Sequence, residues 1–470
     1  MSDAVGGKDI YSKLRWAAFS VLALVLLACR RPSPVQRSPG LSDKVDAYLQ
    51  PFVDGGGFSG AVLIAQGGGI LHSVGYGFAD QESGVPNGPQ TEFRIASLSK
   101  SFTAAAILIL QERRVLSVRD SLARFIPDYP AGETISIHHL LTHTSGVPNV
   151  NDFPDYDRWS ASLHTLPEII SFFQDRPLHF TPGARYEYSN SNYNLLAFII
   201  EKASGMAYGE FLEKSIFRPL GMAGTGHAAE DRSVPGLAAG YMPEGALGLR
   251  RSPSLDWSIK TGNGSIYSTV EDLFRWDRAL ADGKILGRDA LREMFKDQGN
   301  GVGYGWFVGK GSGRNAVRFN GRSPGYTSYM ERYIDDDACI IILSNNYAPV
   351  PHVAIDGLRA ILFGEPYKTF ETDRGFKPEP ASFGAFEGAY RFGPDFYRPN
   401  AEVGLRVKDE SLEIVWTESY VSGLRPLAKA VFLDRLFWAT IIFQTDAEGK
   451  ITGFIWRDTR DYQATKKGDS

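Results

Sequence analysis

The stretch "RIASLSKS" at residues 94–101 places a hydroxyl and an amine at a spacing that could support nucleophilic catalysis. Ser97 precedes Lys100 by three residues, and side chains at positions i and i+3 of a helix are neighbours. A serine hydroxyl is a weak nucleophile that needs an adjacent base, and lysine can be that base only when neutral. The lysine pKa would have to fall from ~10.4 towards ~7, a cost of roughly 4 kcal/mol that burial can supply.

The residues that follow predict a buried helix beginning at Ser97. Positions 102–110 are nearly all apolar, which is typical of a helix surrounded by core and favours a neutral Lys100. Ser97 would lie at the positive end of the helix dipole, which favours a developing oxyanion nearby. Ser99 would point elsewhere and Ser101 would lie a turn deeper. The alternative is an N-capping serine beside a solvated lysine.

A tyrosine and an asparagine precede a second predicted helix. Tyr188 and Asn190 form the only Tyr-x-Asn in the chain, between a Pro182-Gly183 turn and a helix that runs to Gly205. Loop residues just ahead of a helix commonly display catalytic side chains. Tyr188 could therefore be a second proton carrier, or it could be an aromatic ring of the core.

Two histidines at helical spacing could bind a metal. His139 and His143 stand at i and i+4 in "HHLLTH", but the sequence has no His-Glu-x-x-His motif and no third ligand close by. The glycine-rich stretches "GGGFSGAV" and "GKGSGR" lack the residue order of a phosphate-binding loop. We therefore expect no metal and no cofactor.

Strands come from both ends of the segment 41–365, and helical patterns fill its middle. "SGAVLIAQ" (59–66) and "ILHSVG" (70–75) flank a glycine triplet, which predicts a hairpin. "YTSYMERYI" (326–334) and "ACIIILSN" (338–345) flank three aspartates and predict a second hairpin. This arrangement predicts one α+β domain with an antiparallel sheet flanked by helices.

The chain changes character after Pro366. Short alternating runs such as "VGLRV" and "LEIVW" are broken by turns, and no convincing helical pattern follows. We interpret 376–465 as a small C-terminal β-barrel or sandwich, two folds that share this pattern.

The N-terminus has the features of a secretory signal peptide at 1–28. Basic residues precede an apolar run from Trp16 to Ala28, shorter than the ~20 residues of a spanning helix. "LLAC" resembles the bacterial lipoprotein box, which implies lipidation of Cys29 ahead of a Pro/Ser-rich tether at 29–40. We expect a membrane lipoprotein of the cell envelope, in the outer membrane and facing the periplasm if the cell has two membranes. An ordinary secretory signal with an incidental cysteine is the alternative.

The charge balance excludes one class of partner. The chain has 50 basic and 54 acidic residues without long single-sign runs, whereas nucleic-acid binding leaves a basic patch or stripe. We expect a small-molecule or peptide substrate and no nucleic-acid partner.

Several segments, in order along 57–350, resemble signatures of the β-lactamase-related serine hydrolases. This family includes class C β-lactamases, DD-peptidases, D-amino-acid peptidases and esterases. The resemblance implies an antiparallel sheet with an all-helical lobe and Ser-x-x-Lys chemistry. The segments are "GYGFAD", "TEFRIASLSKSFTAAAI", "ISIHHLLTHTSGVP", "PGARYEYSNSNY", "FLEKSIFRPLGM" and "GNGSIYSTVEDLFRW".

The resemblance also implies roles for individual residues. Ser97 would be the acylated nucleophile and Lys100 its proton acceptor. Tyr188 would be the shared general base and acid, and Asn190 would hydrogen-bond Lys100 and the substrate. The backbone amides of Ser97 and Arg322 would form the oxyanion hole.

At the third family motif this chain departs from the family pattern. The family has Lys-Thr-Gly or His-x-Gly before a Pro-Gly, whereas the matching "RFNGRSPGY" places Phe319 where a cation or imidazole is usual. Gly321 would let substrate backbone approach the strand, and strand alternation would send Arg318 and Arg322 to the face opposite Phe319. Phe319 cannot attract a carboxylate, which favours an esterase or a peptidase for substrates with an uncharged end.

The sequence leaves two alternatives to an esterase or peptidase. The first is a true β-lactamase, which the missing cation disfavours. The second is a non-catalytic receptor or sensor lipoprotein that keeps the fold, which the missing cation and the C-terminal domain favour. The joint presence of Ser97, Lys100, Tyr188 and Asn190 argues for catalysis, because a binding module has no need of all four.

Overall fold

The computed structural model of the chain describes residues 39–228, 234–253, 255–370, 376, 379–417, 420–458 and 460–468. The predicted signal peptide, Cys29 and most of the tether lie outside these residues. Within the described ranges, no helix is both long enough and apolar enough to cross a bilayer.

The larger unit contains thirteen described strands. In chain order they are β1 (Gly60–Gln66), β2 (Gly69–Tyr76), β3 (Phe78–Asp80), β4 (Val85–Pro86), β5 (Phe93–Arg94), β6 (Gly226–His227), β7 (Tyr241–Glu244), β8 (Gly248–Arg251), β9 (Ile266–Ser268), β10 (Phe307–Gly311), β11 (Arg314–Ser323), β12 (Tyr326–Tyr333) and β13 (Ala338–Ser344).

Six of these strands form one antiparallel sheet in the order β10-β11-β12-β13-β1-β2. Both predicted hairpins are present, β1 with β2 and β12 with β13. Strand β1 also pairs with β13, with Ala61 opposite Leu343, so the two ends of this unit meet inside the sheet. Both strands are almost wholly buried, which requires cover on both faces.

Helices supply that cover. In chain order they are α1 (Pro39–Asp54), α2 (Ser99–Glu112), α3 (Ile137–Leu141), α4 (Tyr156–Trp159), α5 (Leu166–Ser171), α6 (Asn190–Ser204), α7 (Tyr208–Leu212), α8 (Arg218–Leu220), α9 (Val270–Asp282), α10 (Arg288–Phe295) and α11 (Val350–Phe363). Helices α1 and α11 pack on one face of the sheet, where Ile342 contributes to their core. On the other face Ile341 belongs to a larger core with Phe102 of α2 and Trp276 of α9.

Helix α2 is buried from Ser99 to Leu110, as its apolar sequence predicts. The predicted start at Ser97 is wrong by two residues, because residues 96–98 form a 3-10 turn ahead of the α-helix. Helix α6 ends at the predicted place, where Gly205 adopts the left-handed φ of 70° that favours glycine as a C-cap.

The C-terminal unit is a closed eight-stranded antiparallel barrel, one of the two folds that its sequence allowed. Its interior is filled by side chains, among them Tyr390, Phe432 and Phe454, and forms a core separate from those of the larger unit. The strands are β14 (Gly388–Phe392), β15 (Glu402–Lys408), β16 (Ser411–Val415), β17 (Val421–Ala428), β18 (Val431–Asp434), β19 (Ala439–Thr445), β20 (Ile451–Arg457) and β21 (Asp461–Lys466).

A buried arginine fastens the barrel to the larger unit. Arg435 follows β18 and donates hydrogen bonds to the backbone carbonyl oxygens of Glu244, Gly248 and Gly56 at 2.9–3.2 Å. Trp438 lies nearby in the apolar cluster that contains α1 and α11. Carbonyl oxygens of the larger unit accept from both terminal nitrogens of the guanidinium group, so hydrogen bonds as well as apolar packing join the two units here.

Candidate active site

Ser97 lies at the junction between the short strand β5 and helix α2. The connection passes through Ala96, whose φ of 47° is in the left-handed region. Residues other than glycine rarely adopt this conformation, at a cost of roughly 1–3 kcal/mol. The sharp turn leaves Ser97 partly exposed at the head of an otherwise buried helix, so its hydroxyl can meet a substrate.

Lys100 lies directly beneath that hydroxyl and is fully buried. Its Nζ is 3.1 Å from Ser97 Oγ, 2.8 Å from Asn190 Oδ1 and 2.8 Å from the backbone oxygen of Asn263. A neutral amine can donate its two N–H bonds to the amide oxygens and accept the Ser97 proton on its lone pair. After taking that proton, the ammonium has three donors for three oxygens.

The surroundings of Lys100 favour the neutral amine. Burial lowers the pKa of Lys100 well below its ordinary value, and the positive charge of Lys260 lowers it further. Lys260 is itself 8% exposed, with its ammonium 5.6 Å from the ring centroid of Tyr156. Among the ion pairs of the described residues, none supplies a carboxylate to Lys100 that would restore its charge.

Tyr188 reaches the same hydroxyl from the other side, with its phenol oxygen 3.0 Å from Ser97 Oγ. Burial raises the pKa of Tyr188, and the hydrogen bond to Ser97 opposes this only in part. The phenol therefore stays protonated at neutral pH. Of the two groups that touch Ser97 Oγ, Lys100 is suited to take a proton and Tyr188 is suited to give one.

Hydrogen bonds to neighbouring residues fix the segment at the start of α6. The Ser189 amide donates to His143 Nδ1 at 3.2 Å, and the Asn190 amide donates to Asn149 Oδ1 at 3.0 Å. Asn190 Nδ2 donates to Asn151 Oδ1 at 2.6 Å, which orients its carbonyl oxygen towards Lys100.

The edge of β11 passes close to the Ser97 turn. Strand β10 pairs with β11 only as far as Arg318, so the segment 319–323 has no partner on that side among the described strands. A Cβ atom on Gly321 would lie 2.9 Å from the Ser97 backbone nitrogen and closer still to the Ile95 carbonyl oxygen. Only glycine allows this approach. An oxyanion hole formed by the Ser97 and Arg322 amides stays a prediction. The close approach of β11 to the Ser97 backbone supports it.

The third-motif side chains point in the predicted opposite directions. Phe319 is 3% exposed and stacks on Phe307 with ring centroids 5.0 Å apart, so it has almost no surface for substrate contact. The role of Phe319 in substrate binding stays a prediction. With so little exposed surface, its side chain could affect substrate binding only by shaping the wall of the Ser97 cleft. The Arg322 side chain faces the barrel, where it donates to the backbone oxygens of Tyr347 and Leu436 at 3.1 and 2.6 Å.

Several residues of the site were not identified from sequence. Asn263 acts through its backbone oxygen, which no side-chain type could signal. Its side chain donates to Asn194 Oδ1 at 3.1 Å, and Asn194 lies one turn after Asn190 on α6. Asn151 and Lys260 lie in short 3-10 turns that approach Lys100 only in the folded chain.

The histidines of "HHLLTH" have structural contacts. His139 Nδ1 accepts a hydrogen bond from the Ser136 amide in a capping box at the start of α3. His143 packs against the Tyr188 ring with centroids 4.5 Å apart, and burial lowers its pKa to about 3, so it is neutral. In the described part of the chain, no cluster of three or more His, Cys, Asp or Glu could hold a metal ion.

Comparisons with known proteins identify the family. The Beta-lactamase family model matches residues 45–364. Penicillin-binding protein 4* of Bacillus subtilis is 32% identical over 362 residues, covering 71% of this chain and 79% of that protein.

Two solved structures extend the comparison to the fold. The penicillin-binding protein of Bacillus halodurans shares 28% identity, covers 67% of this chain and 98% of its own, and superposes with a TM-score of 0.60. The D-amino acid amidase of Ochrobactrum anthropi SV3 shares 25% identity, covers 69% and 99%, and has a TM-score of 0.60. These matches and the Ser97 geometry agree. The chain belongs to the beta-lactamase family and is a serine hydrolase of the β-lactamase/transpeptidase fold.

Proposed function

We propose that this protein cleaves esters or amides through an acyl-enzyme on Ser97, with Lys100 as the base and Tyr188 as the acid. The observation that carries the proposal is the contact of Ser97 Oγ with both groups, at 3.1 and 3.0 Å. The opposite pKa directions of the two groups, lowered for the lysine and raised for the phenol, divide the roles between them.

Acylation then follows from these contacts. Lys100 Nζ takes the hydroxyl proton as Ser97 Oγ attacks the substrate carbonyl carbon, and the carbonyl oxygen becomes an oxyanion beside the amides of Ser97 and Arg322. The bond to the leaving group breaks as Tyr188 donates its proton to the departing oxygen or nitrogen. The Lys100 ammonium returns a proton to the phenolate, so both groups regain their starting state.

Deacylation reverses the proton movements with water as the nucleophile. Water loses a proton to Lys100 as its oxygen bonds to the acyl carbon, and the bond between that carbon and Ser97 Oγ breaks. Ser97 Oγ then takes a proton from the neighbouring donors, and the acid leaves.

The substrate class is proposed from the third motif. Phe319 is buried and apolar where the family pattern has a cation or imidazole, so a substrate carboxylate would have no partner at that position. We infer a preference for esters or amides with an uncharged end, of the esterase, D-amino-acid amidase or peptidase type. The likeness to a D-amino acid amidase supports including amides in this class.

A hydrolysis screen tests this proposal. We expect p-nitrophenyl butyrate to give a higher kcat/KM than nitrocefin, with D-amino-acid amides in the same panel, and Ser97→Ala to abolish all turnover. Equal or reversed kcat/KM values for the ester and the β-lactam would remove the argument from Phe319. Turnover that persists in Ser97→Ala would remove the proposed nucleophile.

We further propose that the mature protein is a lipoprotein of the cell envelope, anchored through Cys29. The support is the sequence alone, with basic residues, a short apolar run and "LLAC" before the Pro/Ser-rich tether. Radiolabelled palmitate should enter the wild-type protein in bacterial cells and not the Cys29→Ser variant. An unlabelled wild-type protein released from the membrane would contradict the anchor.

A further inference from the structure

A cavity of about 1190 Å³ lies between the larger unit and the barrel. Its wall includes Arg318 and Arg322 of β11, on the face of the sheet opposite Gly321 and the Ser97 turn. Helix α11 contributes Arg359, and loop and strand residues of the barrel form the opposite wall of this partly open cavity. Ligand sites commonly measure ~300–1,000 Å³ and often lie between domains, so this cavity can hold a substantial organic molecule.

The side of the cavity formed by the larger unit is rich in cations. Glu331 is fully buried beneath it and accepts from Arg359 Nε at 2.7 Å, with Arg318 at 3.7 Å. Arg322 contacts backbone oxygens and lies over the Tyr347 ring, 3.9 Å from its centroid. Five cations line the whole cavity against three carboxylates, which are Asp356, Glu402 and Asp458. In the described ion pairs, no carboxylate partners Arg322 or Lys310, so a net positive charge remains.

The side formed by the barrel is aromatic. Trp416, Phe437, Phe396 and Trp456 contact one another at centroid distances of 4.9–6.0 Å and line the cavity. This wall therefore offers apolar and aromatic surface to an occupant.

These two walls define the chemistry of an occupant. We propose that the cavity binds an amphiphilic organic anion, with a carboxylate or sulfonate group against the basic wall and an aromatic or acyl body against the tryptophans. Arginine and lysine attract such anionic groups, and the aromatic wall buries the apolar body. The site is separate from Ser97 and does not depend on the proposed reaction.

The binding test uses 8-anilinonaphthalene-1-sulfonate, whose fluorescence rises in an apolar site. We expect saturable 1:1 binding, measured by fluorescence and calorimetry on the full chain. The variant Lys310→Glu/Arg398→Glu should weaken it at least tenfold, because both exposed cations line the cavity and neither has an ion-pair partner among the described residues. The matched control Lys296→Glu/Lys408→Glu reverses two exposed cations that do not line the cavity.

A second arm separates this site from the catalytic cleft. Wild-type protein inactivated with a fluorophosphonate, and the Ser97→Ala variant, should both bind the dye with unchanged affinity. The proposal is overturned if the dye does not bind, if both double variants bind it equally, or if modification of Ser97 abolishes binding. If the hydrolysis screen fails and the dye still binds normally, the proposed hydrolase function is refuted and the proposed cavity site is not.

Discussion

Replacing Gly321 with alanine should disable the site through one added methyl group. The new Cβ would lie 2.9 Å from the Ser97 backbone nitrogen, about 0.5 Å short of ordinary contact, and nearer still to the Ile95 carbonyl oxygen. Both atoms belong to backbone, so β11 and the Ser97 turn must separate. A displacement approaching 1 Å costs on the order of 100-fold in rate, or about 2.7 kcal/mol of transition-state stabilisation.

The assay is kcat/KM on p-nitrophenyl butyrate, with the melting temperature measured in parallel. Gly309→Ala is the matched control on the neighbouring strand, where a Cβ would meet only Arg318 side-chain atoms at 3.6 Å or more. We expect Gly309→Ala to keep wild-type activity and Gly321→Ala to lose about two orders of magnitude while remaining folded. A Gly321→Ala enzyme with kcat/KM within twofold of wild type would refute the reasoning about this close approach.

Three further predictions concern the Ser97 surroundings. Lys260→Met removes a positive charge, so it should raise the pKa of Lys100 and move the acidic limb of the kcat/KM profile to higher pH. Lys260→Arg keeps the charge and should leave the limb in place. An unmoved limb in the methionine variant would contradict the charge effect. Tyr188→Phe should lower kcat by ~10²–10⁴-fold in steady-state kinetics, since the proton donor is lost, and wild-type kcat would remove that role. Ala96→Val should have an unfolding free energy roughly 1–3 kcal/mol lower than Ala96→Gly in urea titrations, because a β-branched residue resists a φ of 47°. Equal stabilities of the two variants would contradict that strain.

Much of the fold could be predicted from local sequence. The glycine triplet at the turn from β1 to β2 and the aspartates before β13 each mark a two-strand hairpin, and both hairpins form. Barrel and sandwich could not be separated, because strands in either fold alternate with the same period. The closure of β14 against β21 is a long-range pairing that no local pattern encodes.

The candidate site was predictable where side-chain chemistry defines it. The types and spacing of Ser97 and Lys100 allowed a nucleophile and its base, and the family resemblance implied these roles and that of Tyr188. The structure brings the three side chains together. The left-handed Ala96 was not predictable, because alanine gives no signal of positive φ. The Asn263 contact escaped sequence reasoning for a similar reason, since any residue has a carbonyl oxygen.

The departure at Phe319 was visible from sequence, but its structural consequence was not. The ring does not stand in the cleft as a substitute contact; it stacks on Phe307 inside the core. Alternation along β11 did predict the directions of Arg318 and Arg322, because successive side chains of a strand alternate between faces. That these arginines face a cavity shared with the barrel required the tertiary structure.

The central claim is that Ser97 forms a covalent acyl-enzyme, and trapping that adduct is its most direct test. The protein would be treated with a fluorophosphonate or a labelled penicillin, weighed intact and digested for peptide mapping. We predict one adduct per chain, located on Ser97 and absent from Ser97→Ala. An adduct that persists in the variant, or maps to another residue, would contradict the claim.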